Sequence, residues 1–330
     1  MFASNRVYRS LSVSIIAILL IAIFSACGNN NASENSASSP ATETEQTSPS
    51  SEQASAYPKT IVHDKGETVL EAKPKTIAIT YFPFAEHLFA IGEQAVVGGV
   101  VGLSSLKNFP VYDPFTKDGR IADLGDTPNL EKITALNPDV IIAWQDDEKI
   151  YDQLSKIAPT VLINQTENWQ DTIAKVAALI NEEDKAQQYM DDYNNKLVEL
   201  ASQMDQTGEK GKTAIFMMTW GKGFNYYGGE RMAPYYEKLG FGKFKDMEDW
   251  GELSLESVSS VDPDYIFLGE DFTNTAEMKV EDLKTNPVWN NLKAVKNGKL
   301  FIVDTEIVGP LAMGQFKGLE TIEGIIKDAK

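Results

Sequence analysis

The 330-residue chain reads as an α/β protein in which two similar α/β lobes are joined by one long α-helix, with a ligand cleft between them. Three observations lead there. From Asp184 to Met204 the apolar residues are Ala186, Tyr189, Met190, Tyr193, Leu197, Leu200, Ala201 and Met204. Steps of three and four place them on one helical face, and no Gly or Pro interrupts about six turns, or about 30 Å, of helix. On either side of that helix the sequence repeats. Asn129-Leu-Glu-Lys-Ile-Thr-Ala-Leu-Asn-Pro-Asp-Val-Ile-Ile142 aligns without a gap on Ser254-Leu-Glu-Ser-Val-Ser-Ser-Val-Asp-Pro-Asp-Tyr-Ile-Phe267, 125 positions later. Strand, helix and strand then alternate upstream, as in a parallel sheet covered on both faces.

The elements follow in order. Thr-Ile-Val and Thr-Val-Leu flank Asp64-Lys-Gly66, which predicts a hairpin over 58–73. Lys75–Thr80 is a buried strand broken by Tyr81-Phe-Pro83; Phe84–Ile91 is a helix stopped by Gly92; Ala95–Val101 is the next strand. Asp139–Ala143 and Thr160–Asn164 are further strands, with helices over Lys149–Ala158 and Trp169–Ile180. Ligands of parallel sheets lie outside the carboxyl ends of the strands, which nominates Tyr81, Lys107 and Trp144. Glu86-His87 sits among Phe84, Leu88 and Phe89, the setting of a packed histidine rather than a metal ligand.

After the helix, Lys212–Thr219 opens the second lobe and runs into Trp220-Gly-Lys-Gly-Phe-Asn-Tyr-Tyr-Gly-Gly-Glu-Arg231. The glycines lack the spacing of a dinucleotide fingerprint, and there is no Gly-Lys-Ser/Thr. Trp220, Tyr226, Tyr227 and Arg231 instead suit a bulky ligand with anionic edges: flat rings with polar tips, and a planar fork of donors for oxygen. The competing reading is a hairpin at Tyr226 and Tyr227 with one ring in the core. A helix over Met232–Leu239, the strand Leu300–Asp304 and a helix over Leu311–Ala329 complete the lobe.

Composition narrows the function. A net charge of −18 argues against nucleic acid. One Cys and two His cannot build a disulfide framework or a zinc cluster. No nucleophile elbow or cofactor fingerprint supports an enzyme, and no cofactor is expected.

Residues 1–27 have the form of a secretory signal: Arg6 and Arg9, an apolar run from Leu11 to Phe24, then Ser-Ala-Cys27. Small residues leading into Cys resemble the lipobox of bacterial lipoproteins, although Phe24 stands where Leu is usual. That resemblance implies lipidation, with palmitate, at Cys27. Residues 28–56 offer almost no apolar side chain and read as a disordered polar tether. The expected divisions are then an N-terminal lobe over 57–180, a connecting helix over 181–206 and a C-terminal lobe over 207–330.

The paired Leu-Glu…Pro-Asp elements, the long helix, and Trp289-Asn-Asn-Leu-Lys-Ala-Val-Lys-Asn-Gly298 together resemble the helical-backbone substrate-binding lipoproteins of ABC importers for iron–siderophores, a group related to the vitamin B12-binding proteins. The resemblance implies a monomer, lipid-anchored on the outer face of the cell membrane (Gram-positive type), that binds a ferric siderophore and delivers it to ABC permease subunits. Iron would arrive wrapped in the chelator, so no metal ligands from the chain are implied. Trp220–Arg231 looks most like hydroxamate binders, while Lys107, Lys222 and Arg231 equally suit a citrate-type chelate. In the family, glutamates at the positions of Glu131 and Glu256 dock into arginine pockets on the permease. The alternative is a haem- or corrinoid-binding lipoprotein of the same transporter class.

Overall fold

The computed structural model describes residues 56–166, 168–271 and 276–328, all of them within one compact unit. The expected signal segment, Cys27, and the tether up to residue 55 lie outside the described residues.

A hairpin of β1 (Lys59–His63) and β2 (Gly66–Leu70) precedes the first sheet. That sheet holds β3 (Ile77–Ile79), β4 (Val97–Val100), β5 (Ala122–Asp123), β6 (Val140–Trp144) and β7 (Thr160–Ile163), all parallel, in the order β5-β4-β3-β6-β7. Helices α1 (Pro83–Ala90), α2 (Leu130–Leu136) and α3 (Trp169–Leu179) pack with it. The 25-residue helix α4 (Glu183–Thr207) leads into the second sheet. This contains β8 (Ala214–Trp220), β9 (Gly223–Tyr227), β10 (Trp250–Leu253), β11 (Tyr265–Gly269) and β12 (Leu300–Ile302), in the order β10-β9-β8-β11-β12. Helix α5 (Leu255–Val261) precedes β11, and α6 (Ala312–Asp328) follows β12.

The sequence repeat is a structural repeat. Asn129 and Ser254 cap α2 and α5 by accepting from Lys132 N and Ser257 N. Asn137 and Asp262 close the same helices in the left-handed conformation. The Pro-Asp carboxylates tie neighbouring strands at their entry: Asp139 accepts from Lys75 N and Thr76 N, and Asp264 from Thr213 N. The lobes differ at one edge, because β9 and β10 run antiparallel to their neighbours. A two-residue link, with Gly221 at φ +52, turns β8 straight back into β9, so no crossover helix intervenes.

Several expected boundaries shift. Residues Gln94–Val96 form a 3-10 turn before β4, since Val97 is where sheet pairing begins. The helix expected over Lys149–Ala158 is a 3-10 turn, Gln145–Ile150, continued by the short helix Tyr151–Leu154. The helix expected over Met232–Leu239 is a 3-10 turn, Glu230–Met232, then a π turn, Pro234–Lys238, closed by Leu239 N donating to Pro234 O.

Alternation along the strands splits the core. Ala214, Phe216, Tyr265 and Phe267 join Ile77, Ile79, Val140 and Ile142 in one continuous cluster that includes α1, α3, α4 and α6. The intervening residues Ile215, Met217, Ile266 and Leu268 pack the far face of the second sheet, and Ala78, Ile141 and Ala143 that of the first. On α4 the buried face is Ala186, Tyr193, Leu197, Leu200 and Met204, with Tyr189, Met190 and Ala201 at its margins. Helix α6 also reaches the first lobe: the Glu86 carboxylate on α1 accepts from Met313 N at its start.

Candidate functional site

A cavity of about 230 Å³ opens between the lobes. The first lobe contributes Tyr81, Phe82, Phe109 and Gln165; the second contributes Met218, Tyr227, Arg231 and the segment 305–311. Next to it, sharing Thr305, lies a larger hollow of about 550 Å³ where Lys107 and Asn108 face Glu270, Asp271 and Asp304. Together they reach the size range of small-molecule sites, roughly 300–1,000 Å³.

Local geometry fixes each cleft residue. Tyr81 leaves the end of β3 just before Pro83 starts α1, and its carbonyl accepts from Phe84 N. Its ring stacks on Trp144 at 4.1 Å between centroids and 9° between planes, and meets Phe84 edge-on. Trp144, the last residue of β6, is held by its N–H donating to Thr80 Oγ1 at 2.9 Å and to Asp147 at 3.3 Å. Arg231 lies on its 3-10 turn with its guanidinium over the Tyr227 ring, 5.3 Å from the centroid, a cation–π contact. The Tyr227 hydroxyl points to Met218 Sδ at 3.7 Å.

Behind Arg231 stands Gln315 on α6. Its buried amide donates to the main-chain carbonyls of Arg231 at 3.3 Å, Ile307 at 3.1 Å and Gly309 at 3.0 Å. The Tyr193 hydroxyl of α4 reaches its carbonyl oxygen at 3.5 Å. One side chain thereby fastens two cleft segments to the connecting helix.

Buried acids flank this region. Burial, then repulsion from Asp304, pushes the Glu306 carboxyl up to about 9, and it is 1% exposed. Burial pushes Glu86 up to about 8 and lowers the adjacent His87 to about 3. His87 Nδ1 and Glu86 Oε2 lie 3.1 Å apart without the alignment of a hydrogen bond. Among the described residues, no three His, Cys, Asp or Glu side chains converge as a metal site.

Of the residues nominated from sequence, Tyr81, Tyr227 and Arg231 line one cavity, and Lys107 lines the adjoining hollow. Trp144 stands behind Tyr81 rather than lining it. Tyr226 is 6% exposed in the second-lobe core, its ring against Phe244 and its hydroxyl accepting from Glu248 N. Adjacent strand residues face opposite sides of a sheet, so only one of the tyrosine pair reaches the cleft. Trp220 is 39% exposed at the hairpin end of β8 and lines neither hollow. Gly228 and Gly229 serve packing: a Cβ on Gly228 would meet Glu248 O at 2.5 Å. Glu131 and Glu256 are exposed on the first turns of α2 and α5. No sequence pattern singles out Gln165, Phe109 and Glu306, which line the cavity, or Gln315, which stands behind Arg231. Position alone points to the segment of Glu306, since residues 305–311 follow the carboxyl end of a strand.

The family model described as periplasmic binding protein matches residues 77–307, from β3 through both lobes to the cleft segment after β12. This chain belongs to that family. It is 27% identical over 333 residues to the Fe(3+)-citrate-binding protein YfmC of Bacillus subtilis, covering 98% of this chain and 96% of that protein. It is 30% identical over 319 residues to the probable siderophore-binding lipoprotein YfiY of the same organism, covering 90% and 91%. Among solved structures, Staphylococcus aureus SirA complexed with staphyloferrin B superposes with a TM-score of 0.65 at 27% identity, over 82% of this chain and 97% of that one. The family is one of binding proteins.

Proposed function

We propose that the chain is the extracellular substrate-binding component of an ABC importer, taking a ferric siderophore of hydroxamate or citrate type into the cleft and delivering it to the permease. The observation that carries this reading is the meeting of Tyr81, Tyr227 and Arg231 from opposite lobes in one cavity. A ferric chelate presents oxygens with delocalised negative charge, which a guanidinium binds through paired, charge-assisted hydrogen bonds. Tyr227 beneath the guanidinium presents a flat face for the apolar arms of the chelator, as does Tyr81 across the cleft. Lys107 at the adjoining hollow extends the positive edge. Iron remains coordinated by its chelator throughout, so the protein recognises the outer surface of the complex. The relatives named for Fe(3+)-citrate and siderophores support the same class of ligand.

The haem alternative finds less support. Both histidines of the chain lie elsewhere, His63 bonded within the β1–β2 hairpin to Thr68 and His87 buried on α1. Lipidation at Cys27 would hold the protein at the outer face of the membrane, and Glu131 and Glu256, exposed at equivalent places on the two lobes, would meet the two permease subunits. Quenching of the five tryptophans across a panel of ferric chelates tests the reading. Saturable quenching by a ferric hydroxamate or ferric citrate is the expected result. A purified protein with a Soret band and no response to the panel would favour haem instead.

A further inference from the structure

Gln315 stands in the first turn of α6 and is 1% exposed, so its amide must find its partners inside the protein. Three main-chain carbonyls surround its Nε2: Gly309 at 3.0 Å, Ile307 at 3.1 Å and Arg231 at 3.3 Å. They fix the orientation of the amide, because its carbonyl oxygen turned towards three others would be repelled. The three do not depend on Gln315 equally. Ile307 O also accepts from the Tyr235 hydroxyl at 3.3 Å. The segment closes on itself, Ile307 N donating to Asp304 O and Gly309 N to Glu306 O. Helix α6 presses on it from behind, where a Cβ at Gly314 would stand 2.3 Å from Glu306 O. Segment 305–309 is therefore a fixed wall of the cavity. The Arg231 turn has other moorings: Met232 N donates to Gly229 O, while Gly228 N and Gly229 N donate to Asp249 O beside β10. Those bonds hold it to the edge of the second sheet, and the Gln315 amide ties it to the wall.

We propose that Gln315 is a positioning residue of the cleft: it sets where the Arg231 turn stands against segment 305–309, and it acts on the ligand through the Arg231 guanidinium. This rests on the reading of the cleft as a ferric-chelate site. Both the turn and the segment line the same cavity, whereas the Gln315 amide faces their main chains. A planar guanidinium pairs with two oxygens only from a narrow range of directions, so the placement of its main chain matters to affinity. Two anchors set that placement: the Tyr227 ring 5.3 Å beneath the guanidinium, and Gln315 at the Arg231 carbonyl. The Nε2 group has two hydrogens for three carbonyls, so no donor is spare. The Tyr193 hydroxyl of α4, 3.5 Å from Oε1, braces the amide from the connecting helix. An apolar side chain at 315 releases the Arg231 turn from the wall and leaves the wall with its own bonds.

The test is a double-mutant cycle, titrated with ferric citrate and with a ferric trihydroxamate. Gln315→Met is close to glutamine in size and lacks its N–H groups. It should weaken binding about three- to tenfold in the wild-type background and no more than about twofold in the Arg231→Ala background. Equal losses in the two backgrounds, or none in wild type, overturn the proposal. Hydrogen exchange without ligand supplies the second readout. In Gln315→Met the Met232 amide should exchange about tenfold faster or more, while the Tyr265 and Ile266 amides of β11 keep their rates. Faster exchange throughout the protein marks a general loss of stability and overturns the proposal, as does an unchanged rate at Met232. Gln315→Asn, an amide on a shorter stem, replaces Met if that variant does not fold. It should show the same pattern of losses, and binding and exchange like wild type overturn the proposal. A panel in which no ferric chelate binds wild type strikes the functional reading, while hydrogen exchange still decides whether Gln315 holds the Arg231 turn.

Discussion

Tyr81 lies face to face on Trp144, with ring centroids 4.1 Å apart and planes within 9°, and of the two rings it is Tyr81 that lines the cleft. The stack couples a cleft-facing ring at the end of β3 to the neighbouring strand β6, whose Trp144 is itself fixed through Thr80 and Asp147. Trp144 thus supports the Tyr81 ring from behind.

Removing the support should loosen the site without removing a contact. An aromatic pair contributes about 0.5–1.5 kcal/mol beyond its buried area. Trp144→Ala should therefore weaken chelate binding by about two- to tenfold, with Trp144→Phe close to wild type, as read by isothermal titration. Equal losses for Phe and Ala would mean that the indole itself touches the ligand.

Arg231→Ala should cost about 1.5–3 kcal/mol of binding, roughly ten- to hundredfold in the dissociation constant. Arg231→Lys keeps the charge but not the fork, and should recover only part of the loss. Full recovery by Lys would show that the site reads charge alone.

The buried acids set a pH dependence of stability. Glu86 and Glu306 titrate at about 8 and about 9 when folded, well above their value of 4.5 in an unfolded chain. Between those limits the native state holds more protons than the unfolded state, so stability falls as the pH rises. Their contribution is fully present below about pH 4.5 and is lost as the pH climbs through about 8 and 9. His87, lowered to about 3, is neutral in both states above about pH 7.5 and does not confuse that window. Melting temperatures between about pH 7.5 and 9.5 should decline for wild type and flatten for Glu86→Gln combined with Glu306→Gln, a difference on the order of a few kcal/mol. A parallel decline in the double variant would remove these two groups as the cause.

Glu131 and Glu256 occupy equivalent first-turn positions on α2 and α5, both exposed. A glutamate there is favoured by the helix dipole, and burial of the repeat does not require it. If they meet the permease, Glu131→Ala and Glu256→Ala should leave chelate binding unchanged while cellular uptake of labelled ferric chelate falls, most in the double variant. Unimpaired uptake by the double variant would reduce them to helix starts.

What the sequence carried was local. The Asn129 and Ser254 caps, the Pro-Asp turns and the period of the α4 face are set by residues within a few positions of one another, and they are where the residues put them. Long-range placement was less legible. Tyr226 and Tyr227 look alike as letters, but the register of β9 against β8 sends one into the core and the other to the cleft. Trp220 ends β8 at the hairpin, where the chain doubles back at Gly221, and lines neither hollow. Gln315 and Glu306 belong to no motif; each matters because α6 packs across both the Arg231 turn and the segment after β12.

If the cleft binds a ferric chelate, iron should sit between the lobes, inside its chelator, against Tyr81 and Arg231. An anomalous difference map at the iron absorption edge, from crystals grown with the ferric chelate that quenches most strongly, tests it directly. One peak in the cleft, with the chelator's oxygens around the metal and the Arg231 guanidinium on the outer surface of the complex, is the expected result. A peak elsewhere on the molecule, or none in the cleft of crystals that contain the chelate, would contradict it.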